Sequence, residues 1–130
     1  MNRPVLADTS VWINFFKGVD SKEVEVLIRY IENDSPVYLC PTIVQEVLQG
    51  INNDKQFREV QASLLAFNIL NDDGVEMAVS AANLYRWLRK RGITIRKSND
   101  CLIAQYAIKH SLQVLHQDRD FDLIMEMTRI

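Results

Sequence analysis

Four short apolar runs, each too short for a buried helix, constrain the fold of this chain more than any other feature. They occupy residues 4–7, 37–40, 67–70 and 113–116, and helical patterns of apolar residues separate them. The last run, like the first, is predicted to be a buried strand. Strands that alternate with helices in this way predict an α/β domain with a mainly parallel central sheet flanked by helices.

The size and composition of the chain fit one folded domain. It has 130 residues, of which 48% are hydrophobic and 25% are charged, and this excludes a disordered chain. With no internal repeat or linker, we expect a single domain over residues 1–130. No apolar segment has the length of a signal peptide or of a membrane span, so a cytoplasmic protein with no membrane partner is expected. The two cysteines, Cys40 and Cys101, are expected to be buried, reduced thiols because no Cys-x-x-Cys spacing occurs.

Four acidic residues lie where the predicted strands end or the predicted helices begin. Asp8 follows the first strand directly, Glu46 lies in the first turns of the helix after the second, Asp100 lies in the first turn of a later helix, and Asp118 follows the last strand. The carboxyl ends of parallel strands and the starts of the returning helices share one edge of a sheet, and ligands bind there. Because adjacent strands are about 4.8 Å apart, we expect these four carboxylates to converge.

Converging carboxylates predict a metal site. Like charges raise one another's pKa, and a hard cation with a preference for oxygen ligands, such as Mg²⁺ or Mn²⁺, resolves the repulsion. The sequence offers no Ser-His-Asp triad and no Gly-rich phosphate loop, so metal-assisted hydrolysis is the predicted chemistry. For Asp100 and Glu46 taken singly, a charge that stabilises a helix start remains an alternative.

The motifs around these acids resemble a known family. Asp8 begins an Asp-Thr-Ser sequence, Glu46 ends Thr-Ile-Val-Gln-Glu, Ser-Asn-Asp100 precedes Leu-Ile-Ala, and Asp118 lies in Leu-His-Gln-Asp-Arg-Asp-Phe. Together, in this order and over nearly the whole chain, they resemble the PIN domain, and more closely the VapC-type ribonuclease toxins of bacterial toxin–antitoxin pairs.

The resemblance implies a function and a set of site residues. It implies an endoribonuclease, a hydrolase in which Mg²⁺ or Mn²⁺ activates a water that cleaves RNA. The residues expected to bind the metal and to catalyse the reaction are Asp8, Glu46, Asp100 and Asp118. Three neighbours are expected to support them: Ser10, Asn99 and Asp120. For Asp120 a second role, as the cap of the last helix, is left open.

The resemblance also implies partners. Proteins of this family are usually homodimers, and a small VapB-type antitoxin inhibits them. Their substrate is an RNA, with transfer RNA and ribosomal RNA both expected. The apolar residues Trp12, Phe15 and Phe16 of the first helix, together with the predicted helix over residues 22–33, are expected to form the groove that receives the antitoxin.

A basic segment leads into the motif around Asp100. Six of the 15 basic residues lie between positions 86 and 97, although the net charge of the chain is −2. We expect Arg96, Lys97 and Arg89 to bind the RNA backbone beside the metal site. For Arg89, a charge that favours the helix end is the alternative.

Two other functions fit parts of the pattern. A receiver-like signalling domain also carries acids at strand ends, but it needs a phosphorylatable aspartate after a central strand and a lysine at a late strand, and neither is evident. A non-catalytic PIN-fold binding protein is the second alternative, and the complete set of acids argues against it.

Overall fold

The computed structural model describes residues 3–128, and within them seven helices surround a four-stranded sheet. The elements in chain order are β1 (Val5–Ala7), α1 (Thr9–Lys17), α2 (Lys22–Glu32), β2 (Val37–Leu39), α3 (Pro41–Gln49), α4 (Asp54–Leu64), β3 (Asn68–Ile69), α5 (Gly74–Lys90), α6 (Ser98–Lys109), β4 (Gln113–Leu115) and α7 (Arg119–Thr128). The predicted alternation of strands and helices is confirmed. No helix in this described part of the chain combines the length and the apolarity needed to cross a membrane.

The sheet is parallel throughout, in the order β3-β2-β1-β4. In its register, Leu6 of the central strand β1 pairs with Tyr38 of β2 on one side and with Val114 of β4 on the other. All four strands therefore end at one edge of the sheet, and this confirms the predicted fold class. Residues that follow β1 and β4 are brought together although they come from opposite ends of the chain.

The strand β1 and the helices around it form the hydrophobic core. Val5, Leu6 and Ala7 are all buried, because helices cover both faces of the sheet at its centre. Cys40 and Cys101 are also buried in this core as free thiols, as predicted.

Trp12 belongs to this core and not to the surface. It is fully buried, its indole N–H donates a 2.9 Å hydrogen bond to the carbonyl of Ala7, and its ring lies 4.8 Å from that of Phe67. The expectation that Trp12 forms part of an antitoxin groove is therefore wrong. Phe15 and Phe16, on the same helix, are only half-buried.

The strand β4 is an edge strand. The sequence predicts a buried strand here, but β4 pairs with β1 at the end of the sheet, and Gln113 is exposed while Val114 and Leu115 are half-buried. The short apolar run was equally compatible with a central and an edge strand, because strand order depends on distant pairing.

Candidate active site

Asp8 and Asp118 lie at the carboxyl edge of the sheet, where the sequence predicts them. Asp8 links the end of β1 to the start of α1, and its backbone N–H donates to the carbonyl of Leu115 at 2.9 Å. Asp118 links the end of β4 to the start of α7. Asp100 approaches the same edge from the first turn of α6.

Three carboxylates form the tightest cluster, which we call the carboxylate trio: Asp100, Asp118 and Asp120. Each contributes one oxygen atom, and these atoms lie within 4.8 Å of one another. Asp100 and Asp120 are buried, whereas Asp118 is half-buried. The trio therefore includes Asp120, for which the sequence left open a supporting role or a helix cap.

Asp118, and not Asp120, caps α7. The Asp118 carboxylate accepts a hydrogen bond from the backbone N–H of Asp120 at 2.9 Å, and its carbonyl accepts one from the N–H of Phe121 at 3.1 Å. The capping alternative for Asp120 is therefore wrong, because Asp120 already lies in the first helical turn. Asp118 and Asp120 are two residues apart in the sequence. The residue that caps α7 and a residue of its first turn therefore both place a carboxylate in the trio.

Asp100 is the most strongly perturbed carboxyl group of the trio. Burial, and then the charges of Asp8 and Asp118, raise its pKa from 3.8 to about 7, against a smaller opposing effect of Lys97. Its Oδ2 atom is buried and has no hydrogen-bond partner among the described residues. A buried oxygen left without a partner costs roughly 1–3 kcal/mol, and a cation or a proton removes that cost. An oxygen-only donor set with such an atom fits a hard divalent cation.

Asp8 borders the carboxylate trio. Burial raises its pKa, while a hydrogen bond from the backbone N–H of Thr9 and one from the Ser10 hydroxyl at 3.3 Å lower it. The charge of Asp8 is close enough to raise the pKa of Asp100, although no Asp8 oxygen falls within the 4.8 Å group. Ser10 thus contacts Asp8 as a supporting residue would.

Glu46 lies near Asp8, whose pKa its charge raises, and two hydrogen bonds hold its carboxylate. The Thr9 hydroxyl donates to its Oε1 at 2.6 Å, and the Asn99 amide donates to its Oε2 at 3.3 Å. Glu46 is the sixth residue of α3 and so lies beyond its first turn. A charge that stabilises a helix start acts within the first turn, so this alternative role does not fit Glu46. Thr9 is a site residue that the sequence analysis missed, and its only signal was its place next to Asp8.

Two of the three predicted RNA-binding residues contact the trio. The Arg96 guanidinium lies 3.3 Å from Asp118 Oδ1 and 3.3 Å from Asp120 Oδ2, and Lys97 Nζ lies 3.9 Å from Asp118 Oδ2. Arg89 is placed differently, on α5, with its guanidinium 5.7 Å from the centre of the Tyr85 ring. Arg96 and Lys97 therefore lie at the carboxylates, whereas Arg89 lies on α5.

The loop that carries Asp118 is fixed on both sides. The Gln117 amide accepts from Asn14 at 3.0 Å and donates to the Ser21 hydroxyl at 3.0 Å, so it ties the loop to α1 and to the start of α2. The His116 Nδ1 atom accepts the backbone N–H of Asp118 at 3.2 Å. These contacts limit the positions that the Asp118 carboxylate can take.

Comparison with known proteins identifies a family model, described as PIN domain, that matches residues 5–126. The chain is 35% identical over 128 residues to VapC ribonuclease Mb1587 of Mycobacterium bovis, which covers 97% of this chain and 95% of that protein. The same identity and coverage relate it to Ribonuclease VapC11 of Mycobacterium tuberculosis.

Two solved structures have a similar fold. The complex VapBC2 from Rickettsia felis, bound to a DNA fragment from its promoter, matches with a TM-score of 0.74 at 16% identity, over 93% of this chain and 92% of that chain. VapC20 of Mycobacterium tuberculosis, a toxin that cleaves the sarcin-ricin loop, matches with a TM-score of 0.65 at 15% identity, over 92% and 93%. At these identities the similarity establishes the fold.

Proposed function

The chain belongs to the PIN domain family, and from this membership we propose that it is a metal-dependent endoribonuclease and the toxin of a toxin–antitoxin pair. Its 35% identity over most of its length to proteins named VapC ribonucleases supports the ribonuclease activity. The observation that carries the catalytic part is the carboxylate trio, with the unpartnered Oδ2 of Asp100 inside it. Neither the receiver-like function nor the non-catalytic alternative has a comparable observation in its favour.

The proposed metal ligands are the trio, with Asp8 beside it, and Glu46, which lies near Asp8. Oxygen donors of this kind suit Mg²⁺, and Mn²⁺ accepts the same ligands. When bound, such an ion supplies a Lewis acid that lowers the pKa of water and balances the negative charge of a phosphodiester undergoing hydrolysis. The high pKa of Asp100 supports this assignment, since a nearby cation favours the ionised carboxylate that burial disfavours.

The remaining residues of the site have proposed roles that follow from their contacts. Thr9 and Asn99 fix both oxygens of Glu46, so that its carboxylate keeps one orientation toward the site. Ser10 does the same for Asp8. Lys97, whose ammonium group reaches the edge of the trio, is proposed to hold an RNA phosphate there.

The proposed partners follow from the family and from the exposed surface. We assign to this chain a VapB-type antitoxin, an RNA substrate of the transfer or ribosomal class, and action in the cytoplasm. Complexes of toxin and antitoxin among the solved structures of similar fold support the antitoxin. A homodimer is supported by α5, where Val75 and Val79 are exposed apolar side chains that a second copy can cover.

The test of this function uses the purified chain and a labelled cellular RNA pool. Cleavage is expected with MnCl₂ or MgCl₂ and is expected to stop with excess EDTA or in Asp8→Asn. The matched control is Asp54→Asn, which removes an exposed acid from the first turn of α4. Circular dichroism verifies that each variant is folded. RNA cleavage by folded Asp8→Asn would contradict the proposal, and metal binding without any cleavage would indicate a non-catalytic member of the family.

A further inference from the structure

Arg96 holds the carboxylates that the proposed function assigns to the metal. Its Nη2 atom contacts Asp118 and its Nε atom contacts Asp120, both at 3.3 Å, so one guanidinium joins two of the three carboxylates of the trio. The Arg96 backbone N–H also donates to Asp120, at 3.4 Å. Arg96 therefore supplies the nearest positive charge to these two acids.

A guanidinium and a divalent cation compete for the same two carboxylates. Each carboxylate has a limited number of lone pairs, and Asp118 already uses part of its capacity for the N–H of Asp120 and for Lys97. The two cations also repel each other over distances of a few ångströms. Metal entry is therefore opposed by Arg96 as long as its side chain stays on the trio.

The Arg96 side chain is able to leave. It is 70% exposed, whereas the Asp118 and Asp120 side chains are 16% and 7% exposed, so the acids stay fixed and the guanidinium is the mobile partner. Solvent screens an ion pair of this exposure, which makes its loss inexpensive. The backbone N–H of Arg96 remains beside Asp120 when the side chain turns outward.

Arg96 lines a pocket beside the trio in which a phosphodiester has cationic partners. The other residues that line this pocket are Asp8, Ser10, Lys97, Gln117, Asp118 and Arg119, so two further cations face two carboxylates there. A planar guanidinium binds phosphate oxygens with two hydrogen bonds, as it binds carboxylates. RNA is repelled by the trio as long as the carboxylates are uncompensated, and attracted once a metal neutralises them.

We propose that Arg96 is the counter-ion of the metal-free site, and that it exchanges Asp118 and Asp120 for an RNA phosphate when the metal binds. This inference rests on the proposed function, since it takes the trio as the metal site. Its consequence is coupling: metal raises the affinity for nucleic acid, and nucleic acid raises the affinity for metal by the same factor. Arg96 thereby acts as a positioning and exchange residue, and not only as a guide for RNA.

The test measures binding and not turnover. Isothermal titration with MnCl₂ gives the metal affinity of wild type, Arg96→Ala and Arg91→Ala. Each protein is titrated alone and in the presence of a single-stranded DNA, which supplies phosphodiesters. A gel verifies that the DNA stays intact. Arg91→Ala is the matched control, because it removes the same charge, but its guanidinium lies 3.7 Å from the centre of the Trp87 ring.

We expect Arg96→Ala to bind Mn²⁺ about fivefold more tightly than wild type without DNA, which is the upper end for the loss of an exposed ion pair. We also expect the variant to lose about fivefold of the coupling with DNA, which is the lower end of common coupling factors. Arg91→Ala is expected to match wild type in both. Equal Mn²⁺ affinity and equal coupling in wild type and Arg96→Ala would overturn the exchange while leaving the proposed function intact. Wild type that neither binds Mn²⁺ nor cleaves RNA overturns both.

Discussion

The hydroxyl of Thr9 donates a 2.6 Å hydrogen bond to Oε1 of Glu46, a residue 37 positions further along the chain. The bond joins the start of α1 to the middle of α3, the helices that follow the two adjacent strands β1 and β2. A hydrogen bond to a carboxylate is stronger than one between neutral groups. The orientation of Glu46 therefore depends on a side chain that has no charge of its own.

Thr9→Val is expected to lower kcat/KM for RNA about tenfold, because the loss of a hydrogen bond to a charged group is worth about 1.5 kcal/mol or more. Valine keeps the shape of threonine, so folding should be little affected. Thr9→Ser restores the hydroxyl and is expected to restore most of the activity. Initial rates on a defined RNA measure both, and full activity in Thr9→Val would show that Glu46 needs no fixed orientation.

Asp120→Asn is expected to weaken Mn²⁺ binding at least about tenfold, since it removes one of three clustered carboxylates whose charge attracts the cation. Glu126→Gln, an exposed acid on the same helix, is the control and is expected to leave the affinity unchanged. Isothermal titration measures the change. Equal affinities in the two variants would return Asp120 to a supporting role.

The stability of the metal-free protein is expected to depend on pH through Asp100. Its pKa is about 7 in the folded chain against 3.8 without burial, so between these values the folded state keeps a proton that the unfolded state loses. The free energy of unfolding therefore falls as pH rises from about 4 to about 7, by about 2–4 kcal/mol, and stays low above that.

Urea denaturation in EDTA at pH 5 and pH 8 measures this dependence. Asp100→Asn removes the ionisable group and is expected to lose most of the difference between the two pH values, whereas Asp54→Asn should retain it. Because a bound ion stabilises the folded state, MnCl₂ should raise the stability of wild type at pH 8 and leave Asp100→Asn nearly unchanged. A pH dependence equal in all three proteins would contradict the assignment.

Trp12→Ala is expected to lower the free energy of unfolding by about 3–5 kcal/mol, because it empties a fully buried position and removes the hydrogen bond to Ala7. Trp87→Ala, on α5, removes an indole that is only half-buried and should cost clearly less. Urea denaturation compares the two. A small loss for Trp12→Ala would place that ring outside the core.

The sequence was sufficient for the architecture and for the placement of Asp8, Asp100 and Asp118. Each lies at a strand end or in a first helical turn, and the rule for parallel sheets brings such positions to one edge. This inference needs only the order of elements along the chain. It does not need the direction of any side chain.

The details of the site depend on contacts that local sequence does not encode. Asp120 joins the trio because the cap formed by Asp118 sets the first turn of α7, and that loop is in turn held by Gln117 through Asn14 and Ser21. Arg96 turns toward the acids for a similar reason, since it is attracted by the carboxylates of Asp118, in the loop before α7, and of Asp120, in the first turn of α7. The burial of Trp12 likewise follows from the packing of α1 on the sheet, which its apolar composition alone left undecided.

The pairing of β1 with β4 has a consequence for the synthesis of the protein. Asp8 emerges from the ribosome early, but the trio consists of residues 100, 118 and 120, and β4 can join β1 only after residue 115 has been made. A nascent chain interrupted just before that point carries Asp8, Glu46 and Asp100 but neither Asp118 nor Asp120. A ribonuclease built in this order has no complete carboxylate trio until synthesis has passed residue 120.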